Sequence, residues 1–235
     1  MEVIFENFFK SNFSFDLTKW CSPLPVKSSA LLLVIYCALN LFLPLCFKSQ
    51  ILKLTVGPWS SFGLLLIFLL LTPGKISESC SFRKLHPGSG LKVAGTVLFT
   101  LLIAFICQYW SLEFFKLLGL PVSDKQPLTN ILKSAPPLTV ALIAVTTVIL
   151  APIGEEIIFR RMLYGILLPC GTVKALLLSA FLFSIIHFFP AGICGLFFLA
   201  LFLQLLYLHT GNIRCPIQAH MFFNALSFFS VLFSS

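Results

Sequence analysis

Six polar side chains that could carry out chemistry lie in or beside long apolar runs in the second half of the sequence. In chain order they are Glu155, Glu156, Arg160, His187, His220 and Asn224. An ionised group at the centre of a bilayer costs ~2.5–3.5 kcal/mol on insertion scales, so each of them is a functional candidate. Their number in three segments predicts a polar cavity between helices, in which donors and acceptors satisfy one another.

The spacing of the two adjacent glutamates separates their roles. Glu156 and Arg160 are four residues apart, so on a helix they share one face and are placed for an ion pair. Glu155 points about 100° away from Glu156 around the helix axis. We therefore expect Glu156 to be neutralised by Arg160, while Glu155 remains available for another role.

The same four-residue spacing occurs twice more, in Phe183 with His187 and in His220 with Asn224. One carboxylate, two imidazoles and one carboxamide could thus converge from three helices. A carboxylate in a low-dielectric pocket, with a histidine beside it, can act as a base toward a bound water. A second histidine and an amide can stabilise the oxyanion that forms when water attacks a peptide carbonyl. The set therefore indicates a hydrolase without a covalent nucleophile.

Other catalytic arrangements fit the sequence less well. No G-x-S-x-G elbow occurs, and Cys215 lies about 140° from His220 on a helix, so neither a serine nor a cysteine nucleophile is favoured. Zinc held by Glu155, His187 and His220 is plausible in ligand type. However, no H-E-x-x-H motif is present and no helix offers two ligands four residues apart, so zinc is disfavoured and no cofactor is expected.

The composition is that of a polytopic membrane protein. Of the 235 residues, 58% are hydrophobic and only 10% are charged, whereas soluble domains are about 25% charged. The net charge of +8 comes without a basic stripe that carries interleaved aromatics, so no nucleic-acid partner is expected. The eight cysteines form no C-x-x-C pair, which favours reduced thiols.

Apolar runs long enough to span a bilayer predict an all-α bundle of seven or eight transmembrane helices, with the polar site among the later ones. The uncertain eighth is the segment 159–169, which either continues the fourth helix beyond a break at Pro152 and Gly154 or lies at the interface. The predicted spans are about 28–47, 54–72, 93–110, 137–154, 174–189, 192–209 and 213–233.

Basic residues set the expected topology. With seven crossings, eleven lysines and arginines fall on the side of the N-terminus and five on the other, which predicts a cytoplasmic N-terminus. The expected domains are an N-terminal cytoplasmic segment, 1–27, and an integral membrane domain, 28–235, whose core is 137–233. Arg161 and Lys174 are expected at the interface, and His209 at a helix end near lipid headgroups.

Three motifs in this order resemble the CPBP family of intramembrane glutamic endopeptidases. These are Glu155-Glu156-x-x-x-Arg160, Phe183-x-x-x-His187 and His220-x-x-x-Asn224, preceded by "HTGNIRCPIQAH" from His209 to His220. The family includes type II CAAX prenyl proteases and bacteriocin-processing or immunity proteins. The similarity covers about 151–226.

The resemblance implies specific roles for these residues. Glu155 would activate water with help from His187, His220 and Asn224 would form the oxyanion site, and Glu156 and Arg160 would support them. The expected activity is cleavage of a membrane-associated or lipidated protein or peptide within the lipid bilayer, in a bacterial cytoplasmic membrane. A non-proteolytic immunity or partner-binding protein on the same scaffold is the alternative, and a proton-coupled transporter fits least well.

Overall fold

The all-α prediction is confirmed in a computed structural model that describes residues 26–71, 88–119, 131–132 and 134–233. The described residues form seven main helices, the lower of the two expected numbers. In chain order, α1 to α7 cover Val26–Leu41, Gln50–Leu71, Ser89–Leu117, 137–167, Thr172–Ile185, Ile193–Thr210 and Arg214–Phe233. Almost all of the expected cytoplasmic segment 1–27, and much of the two longest loops, lie outside the described residues.

Four helices among the described residues are long and apolar enough to cross a membrane. They are Gly90–Leu117, Pro137–Cys170, Pro190–Thr210 and Arg214–Phe233. Three shorter apolar helices accompany them, at Ala30–Cys46, Thr55–Ile67 and Thr172–Ile185. The third helix is longer than the predicted 93–110 because it begins at Ser89 and continues past polar Glu113 to Leu117.

The fourth helix, α4, has no break at Pro152, and the predicted interruption there is wrong. It runs through two π-helical segments, Val145–Leu150 and Glu156–Leu163, which flank the short α-helical stretch Ala151–Glu155. A π-helix pairs each N–H with the carbonyl five residues earlier, and such segments are frequent at functional sites. The wider winding accommodates Pro152 and carries the helix on to 167, so both glutamates lie well inside one long helix.

The first two helices form a hairpin that packs on α4. Gly57 of α2 lies so close to α1 that an added Cβ would be 2.8 Å from the Asn40 side-chain oxygen. The Asn40 amide donates to the Ser61 hydroxyl at 2.6 Å, which ties the two helices together. The Trp59 indole N–H donates to the Thr146 hydroxyl at 2.9 Å and so attaches α2 to the first π-helical segment.

Helices α3 and α6 share the largest helix–helix interface of the described structure. A Cβ added at Gly195 would lie 3.2 Å from Ala104, so the two backbones approach closely there. Small residues at such contacts permit the close packing on which helix association in membranes depends. Next to this contact, Val97 and Leu203 are buried in a common apolar cluster.

Candidate active site

Three helices bring five of the six predicted residues into direct proximity. Glu155, Glu156 and Arg160 lie on α4, His187 follows the last turn of α5, and His220 lies in the second turn of α7. The histidines are 32 and 65 residues from Glu155 in sequence, yet both imidazoles lie within 4.0 Å of its carboxylate. The convergence expected for the carboxylate and the two imidazoles is therefore present in the fold.

Glu156 is the buried centre of a charge cluster. Arg160 donates from Nε to Oε2 at 2.9 Å and from Nη2 to Oε1 at 3.2 Å. The Nδ1 atom of His220 is 2.9 Å from Oε1. All three side chains are almost inaccessible, and the exposed fraction of Glu156 is 0%. A carboxylate so deeply buried is stable only with charged or hydrogen-bonding partners, and these two residues supply them.

Glu155 has a different environment from its neighbour. Its side chain is 16% exposed, and its Oε2 is 3.8 Å from His220 Nε2 and 4.0 Å from His187 Nε2. These separations exceed the usual range for a direct hydrogen bond. The carboxylate therefore faces two imidazoles without being locked to either of them.

The backbone and Glu156 fix which nitrogen of each histidine faces Glu155. The Nδ1 of His187 is 2.7 Å from the carbonyl oxygen of Phe183, and the Nδ1 of His220 is 2.9 Å from the Glu156 carboxylate. Both partners can only accept, so each Nδ1 carries the proton and donates it. The Nε2 atoms are then the ones that point towards Glu155.

Phe183 is the packing residue that holds these groups in place. Its ring is fully buried, with its centroid 4.6 Å from that of His187 and 5.9 Å from that of His220. The guanidinium carbon of Arg160 lies 4.9 Å from the same centroid, a cation–π contact. One aromatic side chain therefore contacts both imidazoles and the buried cation.

The turn after α5 places His187 at the helix end. Phe188 has a φ of +48°, the one positive φ of a non-glycine residue in the described chain. Such a conformation is uncommon for a bulky residue and is found preferentially at functional sites. Because the chain reverses there, the His187 imidazole projects from the end of the helix towards α4.

Asn224, the sixth predicted residue, makes a contact that the sequence did not indicate. Its Nδ2 donates to the backbone carbonyl of Thr147 at 2.8 Å. In this π-helical segment the Ala151 N–H bonds to Thr146, and the next residue, Pro152, has no N–H to offer Thr147. Asn224 therefore satisfies a carbonyl that the helix itself leaves unpaired.

Two residues from outside the motifs also belong to the site. Thr147 was missed because a backbone carbonyl has no signature in the sequence, although Pro152 five residues later was an available signal. Tyr36 of α1 is buried and its ring meets that of Phe159 edge-on at 6.1 Å, and Phe159 in turn meets Phe183 edge-on at 5.1 Å. Nothing in its apolar surroundings in the sequence distinguished it from a packing residue.

The sequence also predicted positions for three further basic residues, Arg161, Lys174 and His209. Arg161 is 2% exposed, so the prediction of an interfacial position for it is wrong. The wide turn of the second π-helical segment places it inside the bundle together with Arg160. Lys174 and His209 are exposed near helix ends.

The described residues contain no group of three or more His, Cys, Asp or Glu side chains arranged to hold a metal ion. Tetrahedral zinc with ligands at ~2.0–2.1 Å would bring the ligand atoms to roughly 3.3 Å from one another. The separations around Glu155 are wider than this, at 3.8 and 4.0 Å. Metal independence stays a prediction, which chelation can test.

A family of known proteins is similar to the part of the chain that carries the predicted site residues. The family model described as "Type II CAAX prenyl endopeptidase Rce1-like" matches residues 137–226. This segment is Rce1-like. It extends from the start of α4 into α7 and contains all six predicted residues, so the resemblance expected from the three motifs is confirmed. No significant match was found among curated proteins or among solved structures.

The match and the helices together identify a membrane protein. The Rce1-like segment, residues 137–226, covers less than half of the chain and supports an endopeptidase of the membrane. Two of the four candidate spans, Pro137–Cys170 and Pro190–Thr210, lie entirely within it, and a third, Arg214–Phe233, lies largely within it. The helices α1 to α3 lie outside the matched segment.

Proposed function

We propose that this protein is an intramembrane endopeptidase in which Glu155 activates the attacking water. The observation that carries this proposal is the contrast between the two adjacent glutamates. Glu156 is fully buried and bonded to Arg160 and His220, whereas Glu155 is partly accessible and faces two Nε2 atoms from 3.8 and 4.0 Å. A general base must be able to take up a proton, and of the two only Glu155 is not already neutralised.

A water molecule between Glu155 and His187 would be held by both groups. With Nδ1–H donated to Phe183, the neutral His187 presents its Nε2 lone pair, and the Glu155 carboxylate also accepts. One water could donate a proton to each acceptor and direct its oxygen lone pair at a peptide carbonyl. Contacts of about 4 Å between polar groups are typical of such bridging.

The reaction then needs no covalent intermediate with the protein. The water oxygen forms a bond to the carbonyl carbon, a water proton passes to Glu155, and the carbonyl π electrons become an oxyanion. When the oxyanion collapses, the C–N bond breaks and the departing nitrogen takes the proton from Glu155. The products are a carboxylic acid and an amine, and Glu155 is again a carboxylate.

His220 supports this proposal as an electrostatic stabiliser of the oxyanion. If it is protonated on both nitrogens, its Nδ1–H remains on Glu156 and its Nε2–H is directed to the side of Glu155. The negative charge of Glu156 is then neutralised by the positive charge of Arg160. The positive charge of the His220 imidazolium can therefore stabilise the negative charge that develops on the carbonyl oxygen. Asn224 uses one amide proton on Thr147 and retains a second for the same purpose.

The proposed substrates are membrane-associated or lipidated proteins or peptides, and the protein would act in a bacterial cytoplasmic membrane with its N-terminus in the cytoplasm. The test is Glu155→Gln in the full chain reconstituted in vesicles, with Glu113→Gln as matched control, because Glu113 lies on an exposed part of α3. The probes are two internally quenched peptides that end in a CAAX sequence, one farnesylated and one not. We expect cleavage to fall ~100–10,000-fold in Glu155→Gln only.

A second measurement covers substrates that the peptides do not represent. The termini of membrane proteins would be compared between cells with the wild-type chain and cells with Glu155→Gln. A set of termini that depends on Glu155 supports the proposal and identifies the substrates. If no terminus differs and neither peptide is cut, the proposal is wrong and the non-proteolytic alternative gains support. Activity that is lost with a strong chelator would contradict metal independence.

A further inference from the structure

A groove of about 430 Å³ lies between α3 and α6, on an open side of their interface and outside the proposed active site. Its sides are largely apolar and include Phe99 and Phe202, whose rings meet at 5.0 Å. One end carries two basic side chains, Lys92 and His209. The groove is therefore apolar along its length and cationic at one end.

The two basic residues lie where α3 begins and α6 ends, the end of the groove expected at the membrane surface. Lys92 lies in the first turn of α3 and His209 in the last turn of α6, and both are exposed. The Lys92 ammonium is 2.9 Å from His209 Nε2. No carboxylate among the described residues lies within ion-pair distance of Lys92, and an ammonium has three donors, of which His209 takes one. Lys92 therefore retains donors and a positive charge for an acidic ligand.

The floor of the groove is set by a glycine. A Cβ added at Gly95 would meet nothing within 4 Å, so the missing side chain leaves open space beside the helix. From Lys92 to Phe99 the groove follows α3 for about 10 Å, which suits a hydrocarbon chain that descends from a headgroup at the surface.

We propose that this groove binds an anionic phospholipid, with its phosphodiester at Lys92 and one acyl chain over Gly95, against Phe99 and Phe202. A basic side chain beside an apolar track is complementary to a molecule that joins an anion to a hydrocarbon chain. An uncharged lipid would leave Lys92 without a counter-charge. A free phosphate would leave the apolar track without a ligand.

The test uses native mass spectrometry of the full chain in detergent, with phosphatidylglycerol or phosphatidylcholine added at equal concentrations. We expect phosphatidylglycerol to be retained about 5-fold more strongly, and Lys92→Gln to abolish that preference. Lys174→Gln is the matched control, because Lys174 is also exposed in the first turn of a helix. Equal retention of the two lipids by the wild-type chain would overturn the proposal.

A steric variant tests the acyl chain separately from the headgroup. Gly95→Leu should fill the groove and lower phosphatidylglycerol retention, and since leucine favours a helix over glycine, a loss through unfolding is not expected. Gly90→Leu is the control, because Gly90 has the same open surroundings on the same helix but does not line the groove. If both variants behave alike, or if glycerol 3-phosphate displaces the lipid at equal concentration, the lipid assignment is wrong.

Discussion

The side chain of Asn224 is bonded to the backbone carbonyl of Thr147 at 2.8 Å, across the interface between α7 and α4. Pro152 makes this contact necessary, because it removes the N–H that would otherwise pair with that carbonyl in the π-helical register. An unpaired carbonyl in a membrane-embedded site is costly, so Asn224 supports the helix that carries both glutamates.

Replacing Asn224 by alanine is expected to have two separable effects. Loss of the hydrogen bond to Thr147 should lower stability by ~1 kcal/mol, since a partly buried acceptor is left unsatisfied. Loss of an oxyanion donor should slow turnover by ~100-fold with little change in substrate binding. Thermal unfolding in detergent and steady-state kinetics on the peptide substrates measure the two effects.

The double variant Pro152→Ala/Asn224→Ala distinguishes these effects. An alanine at 152 supplies an N–H to the Thr147 carbonyl, so stability should recover while turnover stays low. Recovery of turnover together with stability would mean that Asn224 serves only to support α4. Pro152→Ala alone is the control for any change in stability that is unrelated to Asn224.

The buried pair of Glu156 and Arg160 should show strong thermodynamic coupling. Glu156→Gln leaves the Arg160 charge uncompensated and is expected to cost ~3–5 kcal/mol, whereas Glu156→Gln/Arg160→Met removes both charges and should cost much less. Thermal unfolding of the single and double variants measures the coupling. The matched cycle on Glu113 and Lys116, an exposed pair at 2.7 Å, should show a coupling below ~1 kcal/mol.

Turnover in the same variants should not follow stability. Even when Glu156→Gln/Arg160→Met unfolds at a temperature near that of the wild type, His220 has lost the carboxylate that accepts the hydrogen bond from its Nδ1. We expect turnover to stay depressed. A double variant that regains both properties would show that Glu156 contributes only to folding.

The orientation of the two imidazoles can be observed directly. The hydrogen bonds to Phe183 and to Glu156 predict that His187 and His220 both carry a proton on Nδ1. Nitrogen-15 spectra of histidine-labelled protein, assigned with His187→Gln and His220→Gln, would report the protonated nitrogen. A neutral His187 with its proton on Nε2 would contradict the proposed water position, because that nitrogen would then donate.

Phe183 should be far more sensitive to substitution than its neighbour Phe181. Phe183→Ala removes a fully buried ring that contacts both imidazoles, so a loss of ~3–5 kcal/mol and of most of the turnover is expected. Phe181→Ala is the matched control, because Phe181 is 51% exposed on the same helix. Similar losses in the two variants would argue against a positioning role for Phe183.

Much of this fold and site could be predicted from residue types and spacing. Apolar runs predicted the seven helices of the described residues, and the four-residue spacing predicted the ion pair of Glu156 with Arg160 and the separate environment of Glu155. These predictions succeeded because helical periodicity and the cost of burying charge act locally and can be read along the chain.

The errors arose where the helix departs from ideal geometry. A proline normally ends or kinks a helix, but in α4 the π-helical register and the Asn224 side chain compensate for Pro152. The same register explains the burial of Arg161. With α-helical spacing, this side chain would have faced lipid. Spacing rules assume 3.6 residues per turn and cannot anticipate where the winding widens.

The length of α5 has a consequence for which peptide bonds can be reached. Its 14 residues rise about 21 Å, less than the ~30 Å hydrocarbon layer. With Lys174, which is exposed in its first turn, at the predicted interface, the His187 end would lie inside that layer and not at its surface. A substrate of the proposed endopeptidase would then have to bring its scissile bond below the membrane surface, so the length of slack chain near a folded domain would limit which proteins qualify as substrates.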